Sequence, residues 1–173
     1  MTQQLQTTVL GRQYTLELSG PLTGYWLAFL RLLIGWWFLH AGLTKYATAG
    51  EFEAGWFLTQ TGTIVSPILN AVAGGWTEAV VNAVIPAGEV VIGLALILGC
   101  LTRLASLFGA VQMSFFYLGN EAWRRSFVNG DLLGLLFFLT IMVFGAGRVW
   151  GIDAYLEQSE FVQSHWWLRY ALG

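Results

Sequence analysis

Four apolar runs, each bounded by glycine, proline or charge, set the pattern of the chain. The first, Leu22–Tyr46, follows Pro21 and is interrupted by Arg31 and His40. At about 1.5 Å of rise per residue it reaches about 37 Å as a helix, more than the roughly 30 Å of a bilayer's hydrocarbon. The second is Val84–Thr102, with Pro86 expected in its first turn, where a missing N–H costs nothing. The third, Leu104–Gly119, lies between Arg103 and Asn120, and the fourth, Asp131–Val149, closes on Gly145-Ala146-Gly147 and Arg148. The pattern predicts an all-α fold: an integral membrane bundle of four helices spanning about 22–46, 84–102, 104–119 and 131–149, within a membrane domain of residues 21–150.

The segments between and around these runs read differently. In Ala47–Ala83 the best apolar stretch, Ile64–Ala73, is cut by Ser66-Pro67 and Asn70 and ended by Gly74-Gly75. It is too short to span and reads as an interfacial or re-entrant piece packed over the bundle. The tail, residues 151–173, sets Tyr155, Phe161, Trp166 and Trp167 among polar residues, which predicts an amphipathic interfacial helix. Residues 1–20 form a polar arm without the charged start and apolar core of a signal peptide. Tyr14, Leu16 and Leu18 alternate with polar neighbours there, as in a short strand or extended arm.

Composition agrees with a lipid environment. Only 10% of the 173 residues are charged and 56% are hydrophobic, against about 25% charged in soluble domains. Nine Trp, twelve Phe and six Tyr suit the bilayer interface. A net charge of -2 and eight scattered basic residues make no nucleic-acid surface. Cys100 is the single cysteine, which excludes an internal disulfide or a CxxC redox pair and reads as packing. His40 and His165 lie too far apart in the pattern for a bis-His haem site, and no metal cluster, nucleophile triad or phosphate loop is visible. Both termini fall on one side of a four-span bundle. Arg12, Arg103, Arg148 and Arg169 on that side, against Lys45, Arg124 and Arg125 on the other, lean it towards the cytoplasm.

Ionisable side chains inside a span cost about 2.5–3.5 kcal/mol each on insertion scales, which makes them functional candidates. In the first run Arg31, Gly35, Phe38, Gly42 and Lys45 follow each other at 4, 3, 4 and 3 residues, one inward-facing helical stripe. Its glycines permit close approach of a neighbouring helix or a ligand. Glu89, Gly93, Leu96, Cys100 and Arg103 repeat the spacing in the second run. If the two run antiparallel, Glu89 comes level with Lys45 and Arg103 lies towards Arg31. A Glu89–Lys45 pair would then either hold the bundle together or flank a polar cavity for an anion or a quinone head group. His40 lies off the stripe and reads as a packing or hydrogen-bonding residue that could also carry protons. Asp131 opens the fourth run, where a carboxylate suits a helix N-terminus. Arg124-Arg125 reads as a lipid-headgroup contact or an outer-loop anion contact.

These residues occur in an order that resembles the DoxX/DoxD family: the stripe from Arg31 to Lys45, then Gly88-Glu89-x3-Gly93, Leu98-Gly99-x3-Arg103, Asn129, and Gly147-Arg148-x3-Gly151-Ile152-Asp153. The resemblance covers Trp26–Asp153. It implies a small four-helix cell-membrane protein, similar to the DoxD-type subunit of a thiosulfate:quinone oxidoreductase that works with a second subunit. On that footing the chain is an oxidoreductase subunit acting with quinone, and its cavity is lined by Arg31, Gly35, Phe38, His40, Gly42, Lys45, Glu89 and Arg103. Quinone would be its one, non-covalent cofactor. Its partners would be the bilayer, a second membrane or peripheral subunit, and a further copy if it oligomerises. The alternatives are a non-catalytic scaffold that anchors a partner protein, and a small-molecule carrier.

Overall fold

The computed structural model describes residues 2–9, 12–47, 52–60, 62–120 and 126–173. The polar arm is a β-hairpin. Strand β1 (Thr2–Val9) pairs antiparallel with β2 (Arg12–Ser19), from Thr2 opposite Ser19 to Val9 opposite Arg12. The rest of the described chain is helical. Helix α1 (Gly20–Ala47) continues straight from β2. Two short helices follow, α2 (Gly55–Leu58) and α3 (Ser66–Ala71), then the long α4 (Gly75–Leu98), α5 (Thr102–Gly119) and α6 (Gly130–Phe144). A 3-10 turn at Ala146–Arg148, the one-turn helices α7 (Asp153–Leu156) and α8 (Glu160–Ser164), and a second 3-10 turn at Trp166–Tyr170 complete the chain.

Helices α1, α4, α5 and α6 pack around one core in which Leu96, Phe138 and Ile141 are fully buried beside Ile34, Phe38 and Met113. Small residues set the spacing. A Cβ on Gly35 would stand 3.0 Å from the Gly93 carbonyl, and one on Gly42 would stand 2.8 Å from the Pro86 carbonyl. The inward glycine stripe therefore places α1 against α4, antiparallel, with backbones in contact. On the other side Gly109 receives the Phe138 ring, and Phe138 meets Phe38 edge-on at 4.6 Å.

The outside of this bundle is apolar. Trp26, Phe29 and Trp36 on α1, Val91 on α4, Phe108 on α5 and Val143 on α6 are all exposed. A water-soluble monomer does not present such a continuous apolar belt. Helices α1 and α4 are long and apolar enough to cross a membrane, and α6 is a shorter apolar helix.

Three departures from the expectation stand out, and α4 also ends at Leu98 rather than Thr102. Helix α4 begins at Gly75 rather than Val84, so Pro86 lies well inside it. Glu78 and Asn82, which gave that stretch the look of a loop, are working groups at the helix start. Glu78 accepts the Gly74 N–H at 2.7 Å, and Asn82 accepts the Ala54 N–H at 2.8 Å. The last long helix ends at Phe144 rather than Val149, because Gly145 takes the left-handed conformation (φ 61°) that terminates helices. The tail is not one amphipathic helix. Its short pieces turn back to the bundle, where the Leu104 N–H donates to the Ala171 carbonyl at 3.1 Å and Leu172 is buried, while Phe161, Trp166, Trp167 and Tyr170 stay exposed.

Candidate functional site

The charged residues of the inner stripe separate into two centres, at Arg31 and at Lys45, about 21 Å apart along α1 at 1.5 Å per residue.

The first centre ties the exit of α6 to the start of α5. Arg31 is 1% exposed. Its Nη1 donates to the Ala146 carbonyl at 3.2 Å and its Nη2 to the Trp150 carbonyl at 3.1 Å. Asp153, fully buried, accepts from the backbone of Leu101 at 2.7 Å, Thr102 at 2.9 Å and Gly173 at 3.1 Å. It thereby caps α5 from a distance of 51 residues. Leu101 and Trp150 are the described non-glycine residues with positive φ, at 51° and 53°. Such conformations persist only where surrounding bonds fix them, and here Asp153 holds one and Arg31 the other. Gly99 (φ 64°) ends α4 and leaves room for the Arg31 guanidinium, which a Cβ would strike. The hydrogen bonds of Arg31 and Asp153 among the described residues all go to backbone, while Arg31 Nε and Thr102 Oγ1 are buried without a partner among those residues.

The second centre is a charge cluster beside a cavity. Lys45 Nζ lies 2.6 Å from Glu89 Oε2, and Gln112 Nε2 donates to Glu89 Oε1 at 3.1 Å. Three helices thus meet on one carboxylate. The Lys45 ammonium also faces the Phe52 ring, 5.5 Å from its centroid. Glu89 is almost fully buried and Lys45 is partly exposed.

Beside this cluster is a cavity of about 740 Å³. Its walls are α4 (Val84, Gly88, Val91, Ile92) and α5 (Phe108, Val111, Phe115, Phe116), and its roof is α2 and α3 with Trp56, Phe57, Leu58 and Leu69. Several wall residues, among them Val84, Val91 and Phe108, are also exposed on the outer surface, so the cavity opens sideways between α4 and α5. Polar lining comes from Lys45, Gln112, Asn120 and Asp131. The roof carries its own small core, Ala54, Leu58, Val65 and Leu69, with Phe57 packed against Gly119 and Phe116. The volume lies within the range of small-molecule sites, about 300–1,000 Å³, and so does the character of a largely apolar wall with few polar groups.

Of the residues expected to line one cavity, Lys45 lines it and Glu89 stands directly behind Lys45. Arg31 does not reach it, because both its Nη groups are spent on the carbonyls of the α6 exit. Gly35 and Gly42 are filled by α4, and Phe38 is core. Arg103 lies at the Arg31 end, against Gly145 and Gly173. His40 is exposed on the outer face of α1 near Trp36, not turned inward. Arg124 and Arg125 lie outside the described residues. Burial, with Asp153 nearby, pushes the Cys100 thiol up, as suits a packing cysteine rather than a nucleophile. Sequence reasoning missed Gln112, although a lone amide in an otherwise apolar run was a visible signal. It counted Asp131 among the ionisable candidates but gave it the role of a helix-start carboxylate.

A family model described as DoxX matches residues 26–119. That span holds α1 from Trp26 onward, the roof, α4 and α5, and with them Lys45, Glu89 and Gln112. No solved structure matches the chain.

Proposed function

The chain belongs to the DoxX family of membrane proteins, and from that premise we propose that it is a four-span membrane subunit of a redox complex that holds a quinone in the cavity between α4 and α5. Four spans account for the apolar outer faces of α1, α4, α5 and α6 together, since each would otherwise stand in water. Antiparallel packing then brings both termini to the Arg31 side. Helices α5 and α6 are the shorter members, about 27 and 22 Å at 1.5 Å per residue, and thinning of the bilayer or flanking polar residues accommodate them.

The observation that carries the quinone reading is the combination of apolar walls, a sideways opening towards lipid, and the Lys45–Glu89–Gln112 cluster at one end. A lipophilic tail lies along Val91, Phe108 and Val111, and a carbonyl oxygen on the ring meets the Lys45 ammonium. Glu89, itself held by Gln112, keeps that ammonium in place. Bound quinone supplies the electron- and proton-accepting chemistry, for which the side chains alone are unsuited. The electrons come from a partner protein, as in thiosulfate:quinone oxidoreductases of similar membrane subunits. The chain's own part is to bind, orient and exclude water from the head group. The Phe52 ring over Lys45 and the roof of α2 and α3 serve the last role.

A scaffold is the second reading. It is favoured by the exposed aromatic residues of the tail, Tyr155, Phe161, Trp166 and Trp167, which offer a peripheral protein a docking surface at the membrane interface. Purification in mild detergent from native membranes separates the two. A redox partner together with quinone in the lipid extract supports the first reading, and a partner without quinone supports the second.

A further inference from the structure

The cavity has a second charged lining residue, which the quinone reading does not use. Asp131 lines the cavity from the first turn of α6, and its carboxyl group is hydrogen-bonded to the Asn120 side chain just past the end of α5. A carboxylate in a first helical turn is commonly accounted for by the helix end itself. Here that end already has its cap: Asn129 accepts the Leu132 N–H at 3.0 Å. Asp131 is therefore not needed as the cap, and Asn120 holds its carboxyl group at the cavity wall.

Lys45 lines the same cavity as a donor. Of the three Lys45 N–H groups, Glu89 takes one at 2.6 Å and the Ala41 carbonyl takes another at 3.4 Å, which leaves one for a ligand. A single apolar cavity thus carries a cationic donor and an anionic acceptor, contributed by α1 and α6.

We propose that Asp131 is a specificity-determining acceptor that binds a hydroxyl group on the ligand's ring, while Lys45 binds an oxygen on the same ring. The cavity then selects a lipophilic ring that bears a hydroxyl, a phenol or hydroquinone head on a hydrocarbon tail, over the same molecule with that hydroxyl blocked. The proposal rests on the reading of the cavity as a quinone site. It adds that the hydroxyl-bearing form is the better ligand.

The test uses the full chain in lipid nanodiscs and three probes: 4-decylphenol, its O-methyl ether and decylbenzoquinone. Equilibrium binding is measured above that of empty nanodiscs. A hydrogen bond to a charged group predicts that the phenol binds about tenfold or more tighter than the ether. Asp131→Leu is expected to bring the two within about threefold and to leave decylbenzoquinone binding in place, which also shows that the variant is folded. If Asp131→Leu does not fold, Asp131→Asn keeps the shape and is expected to weaken the preference to an intermediate value. Equal binding of phenol and ether by the natural protein overturns the role of Asp131 and leaves the quinone site standing. So does a preference that survives in both variants. Absence of saturable binding for all three probes overturns the site and the role of Asp131 together.

Discussion

Lys45 Nζ lies 2.6 Å from Glu89 Oε2, although 44 positions separate the two residues in the chain. The bond joins the end of α1 to the middle of α4 and, through Gln112, to α5. It exists because Gly35, Gly42 and Gly93 let α1 and α4 touch along their backbones. Lys45 lines the cavity and Glu89 stands behind it, so on the proposed function stability and ligand binding share the pair.

Removing one partner leaves the other buried and unpaired. Lys45→Ala is expected to cost about 2–3 kcal/mol, below the roughly 3–5 of a fully buried pair, because the Lys45 side chain keeps 24% of its exposure. Lys45→Met combined with Glu89→Leu is expected to recover most of that loss and still to abolish quinone binding. Thermal unfolding in detergent and a binding assay on the same samples check both parts.

Glycine substitutions separate contact from cavity. A Cβ on Gly93 would stand 2.7 Å from the Gly35 carbonyl and would force α1 and α4 apart, so Gly93→Leu is expected to abolish the folded, detergent-stable species. Gly88 is on the same helix, and a Cβ there would meet nothing within 4 Å, so Gly88→Ala is expected to shift stability by under about 1 kcal/mol. Size-exclusion profiles and melting curves of the two variants show the contrast.

At the Arg31 centre the expected effects fall on stability rather than binding. Asp153→Ala strips the Leu101 and Thr102 N–H groups of their acceptor at a buried helix start and is expected to cost about 2–4 kcal/mol. Arg31→Lys loses the forked contact with the Ala146 and Trp150 carbonyls and is expected to destabilise similarly, while the folded fraction binds quinone with unchanged affinity. A stability-corrected binding isotherm is the check. A loss of affinity in folded Arg31→Lys would return Arg31 to the cavity.

The roof over the cavity hangs on few bonds. Asn82→Ala leaves the Ala54 N–H without its acceptor, and proteolysis within residues 52–73 is expected to speed up severalfold while the long helices stay protected. Limited digestion followed by mass analysis of the fragments reads this directly.

Much of this architecture was legible in the chain. Apolar runs located the long helices, and the 4, 3, 4, 3 spacing from Arg31 to Lys45 located the inward face of α1 and the partner of Lys45 on α4. What the pattern concealed has physical causes. Glu78 and Asn82 are polar for reasons of capping and roof attachment, so the start of α4 looked like loop. Arg31 looked like a ligand-binding cation because a buried charge signals function by default, whereas backbone carbonyls of the α6 exit take both of its Nη groups. Those carbonyls come from residues 115 and 119 positions away, and periodicity carries no information about them. His40 shares its helix with the stripe but not its face, since two positions from Phe38 is about 200° around the helix, and it lies on the outside. Gln112 and Asp131 join the site because the packing of the helices brings the middle of α5 and the start of α6 to the cavity that Lys45 lines, which the order along the chain does not show.

The measurement that bears most directly on the central claim is equilibrium binding of decylbenzoquinone to the full chain in nanodiscs, for the natural protein and for Gly88→Phe. The phenylalanine enters open space at the cavity wall rather than a neighbouring helix, so it fills the site without breaking the bundle. The account predicts saturable binding by the natural protein, with affinity reduced about tenfold or more in Gly88→Phe at unchanged melting temperature. Binding that is absent from the natural protein, or that persists undiminished when the cavity is filled, would contradict it.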